Sequence, residues 1–176
     1  MKKYKYILII SPIILILDQL TKSWAVSTLK GKEEISVITG YFDFIFRQNK
    51  GAAWSFLADK PDSFRVPFFI IAIIVALAVV LFLYKNLKDD QIILKIAFSS
   101  IIGGALGNLS DRFFRGAVVD FIDWHYKEVY HWPTFNIADV GLVIAMFLIA
   151  YEAFIGENIR KKKEALLNDT SVESNE

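Results

Sequence analysis

The chain has 176 residues, 55% of them hydrophobic, a net charge of +1 and no cysteine. That much apolar surface, gathered in long blocks, exceeds what one soluble domain of this size hides and points to the membrane. Without thiols there are no disulfides, thiolate nucleophiles or thiolate-held metals, and the near-zero charge gives no field suited to nucleic acid.

Residues 7–26 read as a first spanning helix, interrupted by Pro12 and by the polar run Asp18-Gln19-Leu20-Thr21-Lys22. The same block has a rival reading as a cleaved signal peptide, with Lys2, Lys3 and Lys5 before it and Ala25-Val26-Ser27 as a faint cleavage site. Asp18 suits such a leader poorly, so the spanning reading is preferred. The following loop, residues 27–65, holds two strand-like stretches, Ile35-Ser36-Val37-Ile38 and Tyr41-Phe42-Asp43-Phe44-Ile45-Phe46, with Gly40 at the turn. They predict a small sheet on the membrane surface. Residues 51–57 predict a short interfacial helix carrying Trp54 at headgroup level.

Residues 66–84 form a second, nearly uninterrupted apolar span, and residues 92–109 a third, ending in Gly103-Gly104-Ala105-Leu106-Gly107. A second long loop, residues 110–136, precedes the fourth span over residues 137–155. Residues 164–176 are polar and read as a disordered tail. Lysines crowd the start, Lys85 and Lys88 occupy the short second connection, and Arg160-Lys161-Lys162-Lys163 follows the last span. By the positive-inside rule both termini are cytoplasmic and the two long loops lie outside.

Polar residues in a span are costly and mark cavities or sites, so their depth is informative. Asp18 lies roughly 17 Å beyond Ile7 at the helical rise, past the midplane. Asn108 closes the third span, with Asp111 and Arg112 just after it, and Asn136 and Asp139 open the fourth. Separate stretches thus deliver polar groups to one depth, which predicts a shared outer-leaflet cavity. Simpler readings stand beside this one. Asn136 is a natural N-cap with Asp139 in the first turn, Asp111 and Arg112 suit an interfacial ion pair, and Asp18 with Lys22 has the i,i+4 spacing of a helical salt bridge. Asp120 is a lone carboxylate inside Val118-Val119-Asp120-Phe121-Ile122, while Asp123, beside Trp124, His125 and Tyr126, ranks second to it. The spacing of His125 and His131 matches no metal signature, so no metal is expected.

Five strings taken together resemble lipoprotein signal peptidase, the type II signal peptidase of bacteria. They are Asp18-Gln19-Leu20-Thr21-Lys22, Asn49-Lys50-Gly51-Ala52-Ala53-Trp54-Ser55, Gly107-Asn108-Leu109-Ser110-Asp111-Arg112, Val119-Asp120-Phe121 and Phe135-Asn136-Ile137-Ala138-Asp139. The resemblance implies an all-α membrane fold: a four-helix transmembrane bundle with a small extracytoplasmic β-sheet cradle and a short interfacial helix, here one peptidase domain over residues 1–163. It implies an aspartic endopeptidase of the bacterial inner membrane that needs no cofactor. Such an enzyme removes the signal peptide from diacylglyceryl-modified prolipoproteins, cutting just before the lipidated cysteine.

The family's catalytic aspartates fall on Asp120 and Asp139. Its supporting residues fall on Asp18, Asn49, Gly51, Asn108, Asp111, Arg112, Asn136 and Ala138, and Trp54 stands where phenylalanine is common. The resemblance further implies prolipoprotein substrates, contact with membrane lipid and sensitivity to the cyclic peptide globomycin. The competing reading is a small transporter or proton relay that uses Asp18, Asp120 and Asp139 as an ion path.

Overall fold

The computed structural model describes residues 2–51, 60–127, 129–156, 158–160 and 162. A short 3-10 turn leads into α1 (Lys5–Leu29), followed by strands β1 (Ile35–Ile38) and β2 (Phe42–Asn49). Helices α2 (Asp62–Lys85) and α3 (Ile92–Arg115) come next, then β3 (Val118–Tyr126), β4 (Tyr130–His131) and α4 (Ile137–Tyr151), which runs on into a π-helical turn. Among the described residues, four helices are long and apolar enough to cross a bilayer. In lipid, a helix is the simplest way to satisfy every backbone polar group internally.

α3 is the centre of the bundle and packs against α1, α2 and α4. Its glycines make this possible. A Cβ added to Gly104 would lie 2.6 Å from the Ala138 carbonyl oxygen of α4, and one added to Gly107 would lie 2.5 Å from Asp18 Oδ2 of α1. Small residues at such crossings let backbones approach closely where lipid offers no hydrophobic drive. α2 stands at the periphery, with Arg65, Phe69 and Tyr84 as its buried residues among those described. Its apolar side chains otherwise face outward, as a lipid-facing helix requires.

Three features differ from the sequence reading. α1 continues through Pro12 and the polar run without a break. Proline removes one backbone donor, and Asp18 and Lys22 are satisfied by partners inside the bundle, so neither ends the helix. α3 extends past residue 109 to Arg115, where Gly116 takes the left-handed conformation (φ 73°) that closes a helix. The sheet draws on both long loops: its order is β1-β2-β3-β4, with every neighbouring pair antiparallel. The proposed interfacial helix and Trp54 lie outside the described residues, as does the tail from residue 163.

The sheet sits on the end of α1. Ala25 and Leu29 form one buried cluster with Val119, Phe121 and Ile122, and Phe42, Phe44, Phe46, Phe135 and Ile137 pack around it. Trp24 meets Phe44 and Phe121 edge-on, with ring centroids 5.2 and 6.1 Å away. Burying the Phe121 ring, 3% exposed, contributes about 2 kcal/mol. This packing fixes β3 over the ends of the helices.

Candidate active site

The site grows from the N-terminus of α4, where the first backbone N–H groups have no partner within the helix. Asn136 caps it: its Oδ1 accepts from the Asp139 N–H at 3.0 Å, and Asp139 Oδ2 accepts from the Asn136 N–H at 3.2 Å. This reciprocal capping box is the simpler reading of both residues, and it is present. The cap leaves the Asn136 amide nitrogen free, however. That nitrogen donates to Asp120 Oδ1 at 2.7 Å. One fully buried asparagine therefore touches both aspartates.

Asp120 reaches this position from β3, a strand buried along its first six residues. It is 2% exposed, and its second oxygen accepts from Asn49 Nδ2 at 3.1 Å. Burial, reinforced by the neighbouring charge of Asp139, pushes its carboxyl up to about 7 although both asparagine bonds favour the ionised form. Asp123, three residues further along, has a different partner: it bonds to His131 at 2.9 Å, whereas Asp120 bonds to Asn136 and Asn49. These partners separate two aspartates that residue type alone left undecided.

Behind the pair lies a buried ion cluster. Lys22 Nζ is 2.8 Å from Asp18 Oδ2, 3.1 Å from Asp111 Oδ2 and 2.9 Å from Asn108 Oδ1. An ammonium group only donates, so it turns the Asn108 carbonyl toward itself and the Asn108 amide nitrogen toward Asp139. That nitrogen donates to Asp139 Oδ1 at 2.9 Å. The remaining carboxylate oxygens hold backbone: Asp18 Oδ1 accepts from the Ala138 N–H and Asp111 Oδ2 from the Val119 N–H, each at 2.9 Å. The cluster therefore fixes the residues preceding both Asp139 and Asp120.

Arg112 departs from expectation. Adjacent residues on a helix do not face each other, and Asp111 pairs instead with Lys22 and with Arg115 one turn on. Arg112 donates to the Gly51 carbonyl at 3.0 Å and lies over the Phe69 ring. The Gly51 N–H in turn donates to Asn49 Oδ1 at 3.1 Å, so Arg112 braces the turn that presents Asn49 to Asp120. Its guanidinium also feels the charges of Asp120 and Asp139. Three contributors were missed as site residues: Lys22, Gln19, which donates to the Gly107 carbonyl and Asp111, and Arg115. The i,i+4 spacing of Asp111 and Arg115 was the available signal.

A multi-pass membrane bundle with paired carboxylates from two segments at the rim of its helices defines the intramembrane aspartic hydrolases as a class. The sequence model of the signal peptidase (SPase) II family matches residues 10–155. The lipoprotein signal peptidase of Geobacter sulfurreducens is 44% identical over 147 residues, 84% of this chain and 89% of its own length. That of Syntrophotalea carbinolica is 40% identical over the same shares. A solved bacterial membrane enzyme, studied by the in meso method, superposes with a TM-score of 0.73 at 32% identity, covering 85% of this chain and 92% of its own. The chain belongs to the signal peptidase II family and is a proteolytic enzyme of the membrane.

Proposed function

We propose that the chain removes signal peptides from diacylglyceryl-modified lipoprotein precursors, cutting just before the lipidated cysteine, with Asp120 and Asp139 as its catalytic pair. The observation that carries this reading is the contact of both carboxylates with Asn136. Neighbouring carboxylates resist joint ionisation, so the pair keeps one proton near neutrality. The ionised member takes a proton from water, and the protonated member donates to the scissile carbonyl oxygen. The attacking oxygen bonds to the carbonyl carbon, and the C–N bond then breaks as the amine regains a proton.

In this reading Asn136, Asn108 and Asn49 position the pair, while Asp18, Lys22 and Asp111 hold the helix ends beneath it. Arg112, Gly51 and Ala138 complete the frame. The substrate's signal helix enters sideways from lipid, which keeps its acyl chains in hydrocarbon while the cleaved bond meets the aspartates. The termini are cytoplasmic and the sheet external. This orientation is supported by Lys3 donating to the Lys85 carbonyl at 2.7 Å, which gathers the basic start and the basic α2–α3 turn at one end. A cyclic peptide such as globomycin would compete for the same site.

The test is cleavage in detergent of one precursor with and without its diacylglyceryl group. Cleavage of the lipidated form alone is expected. Equal cleavage of both, or ion flux in liposomes without any cleavage, contradicts the proposal.

A further inference from the structure

Away from the aspartate pair, four ionisable side chains form a row across the sheet. Asp43 on β2 is the cross-strand partner of Asp123 on β3, and His125 on β3 is the partner of His131 on β4. Asp43, Asp123 and His125 are each more than nine-tenths buried, while His131 is 49% exposed. Buried polar atoms are normally paired, and an unpaired one costs about 1–3 kcal/mol. Yet Asp43 Oδ1, Asp123 Oδ1 and His125 Nδ1 have no hydrogen-bond partner among the described residues. Three unsatisfied atoms in one row, two of them anionic oxygens, ask for a cation.

The geometry suits a metal ion. Ligand atoms of Asp123, His125 and His131 all lie within 4.8 Å of one another. His131 Nδ1 and His125 Nδ1 lie 2.9 and 3.7 Å from Asp123 Oδ2. Around a tetrahedral zinc at about 2.1 Å the ligands sit roughly 3.4 Å apart, so the first pair opens by about half an ångström and the widest closes by at most about 1.4 Å. His131, half-exposed on the two-residue strand β4, has the freedom to make that movement. His125 Nδ1 faces Asp123 Oδ2 at 3.7 Å, and its Nε2 faces Asp43 Oδ2 at 3.6 Å on the other side of the ring. A carboxylate behind the distal ring nitrogen is the usual way to hold a ligating histidine in the correct tautomer.

We propose that Asp123, His125 and His131 bind one divalent ion of the zinc class, with Asp43 orienting His125. The ion fastens β3 to β4. Two imidazoles and a carboxylate favour zinc over magnesium or calcium, which prefer oxygen ligands throughout. Sequence spacing expected no metal here because the ligands converge through cross-strand pairing rather than through a linear motif. The ion's ligands are distinct from Asp120 and Asp139, so its role is to stabilise the sheet and not to attack the peptide.

Protein purified without a histidine tag, stripped with a chelator, is titrated with zinc chloride by calorimetry and followed by thermal unfolding in detergent. One zinc per chain is expected, with a raised melting temperature. Affinity is expected to fall at least about tenfold in His131→Ala and in Asp123→Asn, and magnesium is expected to give no comparable uptake. His131→Ala alters a half-exposed residue, and its melting temperature without zinc reports whether the fold is intact. Absence of zinc uptake, or uptake unchanged in both variants, overturns the proposal. Neither readout depends on precursor cleavage.

Discussion

Asp120→Asn and Asp139→Asn are each expected to slow cleavage of the lipidated precursor by at least about 10³-fold, while the protein still folds and reaches the membrane. Asparagine has nearly the shape of aspartate, so the packing around β3 and the cap of α4 survives. It still accepts a hydrogen bond from Asn136 or Asn49 but neither takes nor supplies a proton. If, as proposed, the two carboxylates act as one unit, the double variant is no slower than either single one. Single-turnover assays on purified protein, with melting temperatures alongside, check this. Near-normal turnover in either variant removes that residue from the pair.

Lys22→Met is expected to have the largest effect on stability. The side chains of Asp18, Lys22 and Asp111 are fully enclosed, and Lys22 bonds to both carboxylates and to Asn108. Removing one member of a buried ion pair costs about 3–5 kcal/mol, because the opposite charge stays behind uncompensated. Arg115 compensates Asp111 in part, but Asp18 keeps only the weaker dipoles of Gln19 and the Ala138 N–H. A fall of about 10 °C in melting temperature follows. The triple variant Asp18→Asn, Lys22→Met, Asp111→Asn removes the three enclosed charges, leaving only the part-exposed Arg115, and is expected to recover part of the loss. Unchanged melting of Lys22→Met contradicts the account. Cleavage also drops, because Asn108 loses the donor that orients its amide toward Asp139.

Much of this arrangement was legible in the residues. The apolar blocks located all four helices, and the i,i+4 spacing located the Asp18–Lys22 bridge, which forms at 2.8 Å. Asn136 and Asp139 were readable as a cap, and the capping box is present. What was hidden is long-range pairing. β3 escaped notice because its first six residues are all buried, which erases the alternation that reveals a half-exposed strand. Its partner β2 lies two helices earlier in the chain. The end of α3 was placed too early because Asp111, Arg112 and Arg115 look like loop residues until their partners on α1 and near Gly51 are known. The second role of Asn136 was equally invisible, since a cap uses its oxygen and gives no hint of where its nitrogen points.

The proposed mechanism requires Asp120 and Asp139 to hold a single proton between them. Carbon-13 carboxyl NMR of aspartate-labelled protein in micelles, assigned with the Asp→Asn variants, tests it most directly. Burial and the Asp139 charge raise the Asp120 carboxyl to about 7, so its protonated form persists to neutrality and is lost as the pH rises through that value. The Asp120 resonance is expected to titrate near pH 7 and to shift downward in Asp139→Asn, where the neighbouring charge is gone. Titration in the ordinary carboxylate range, indifferent to Asp139→Asn, would contradict the shared proton.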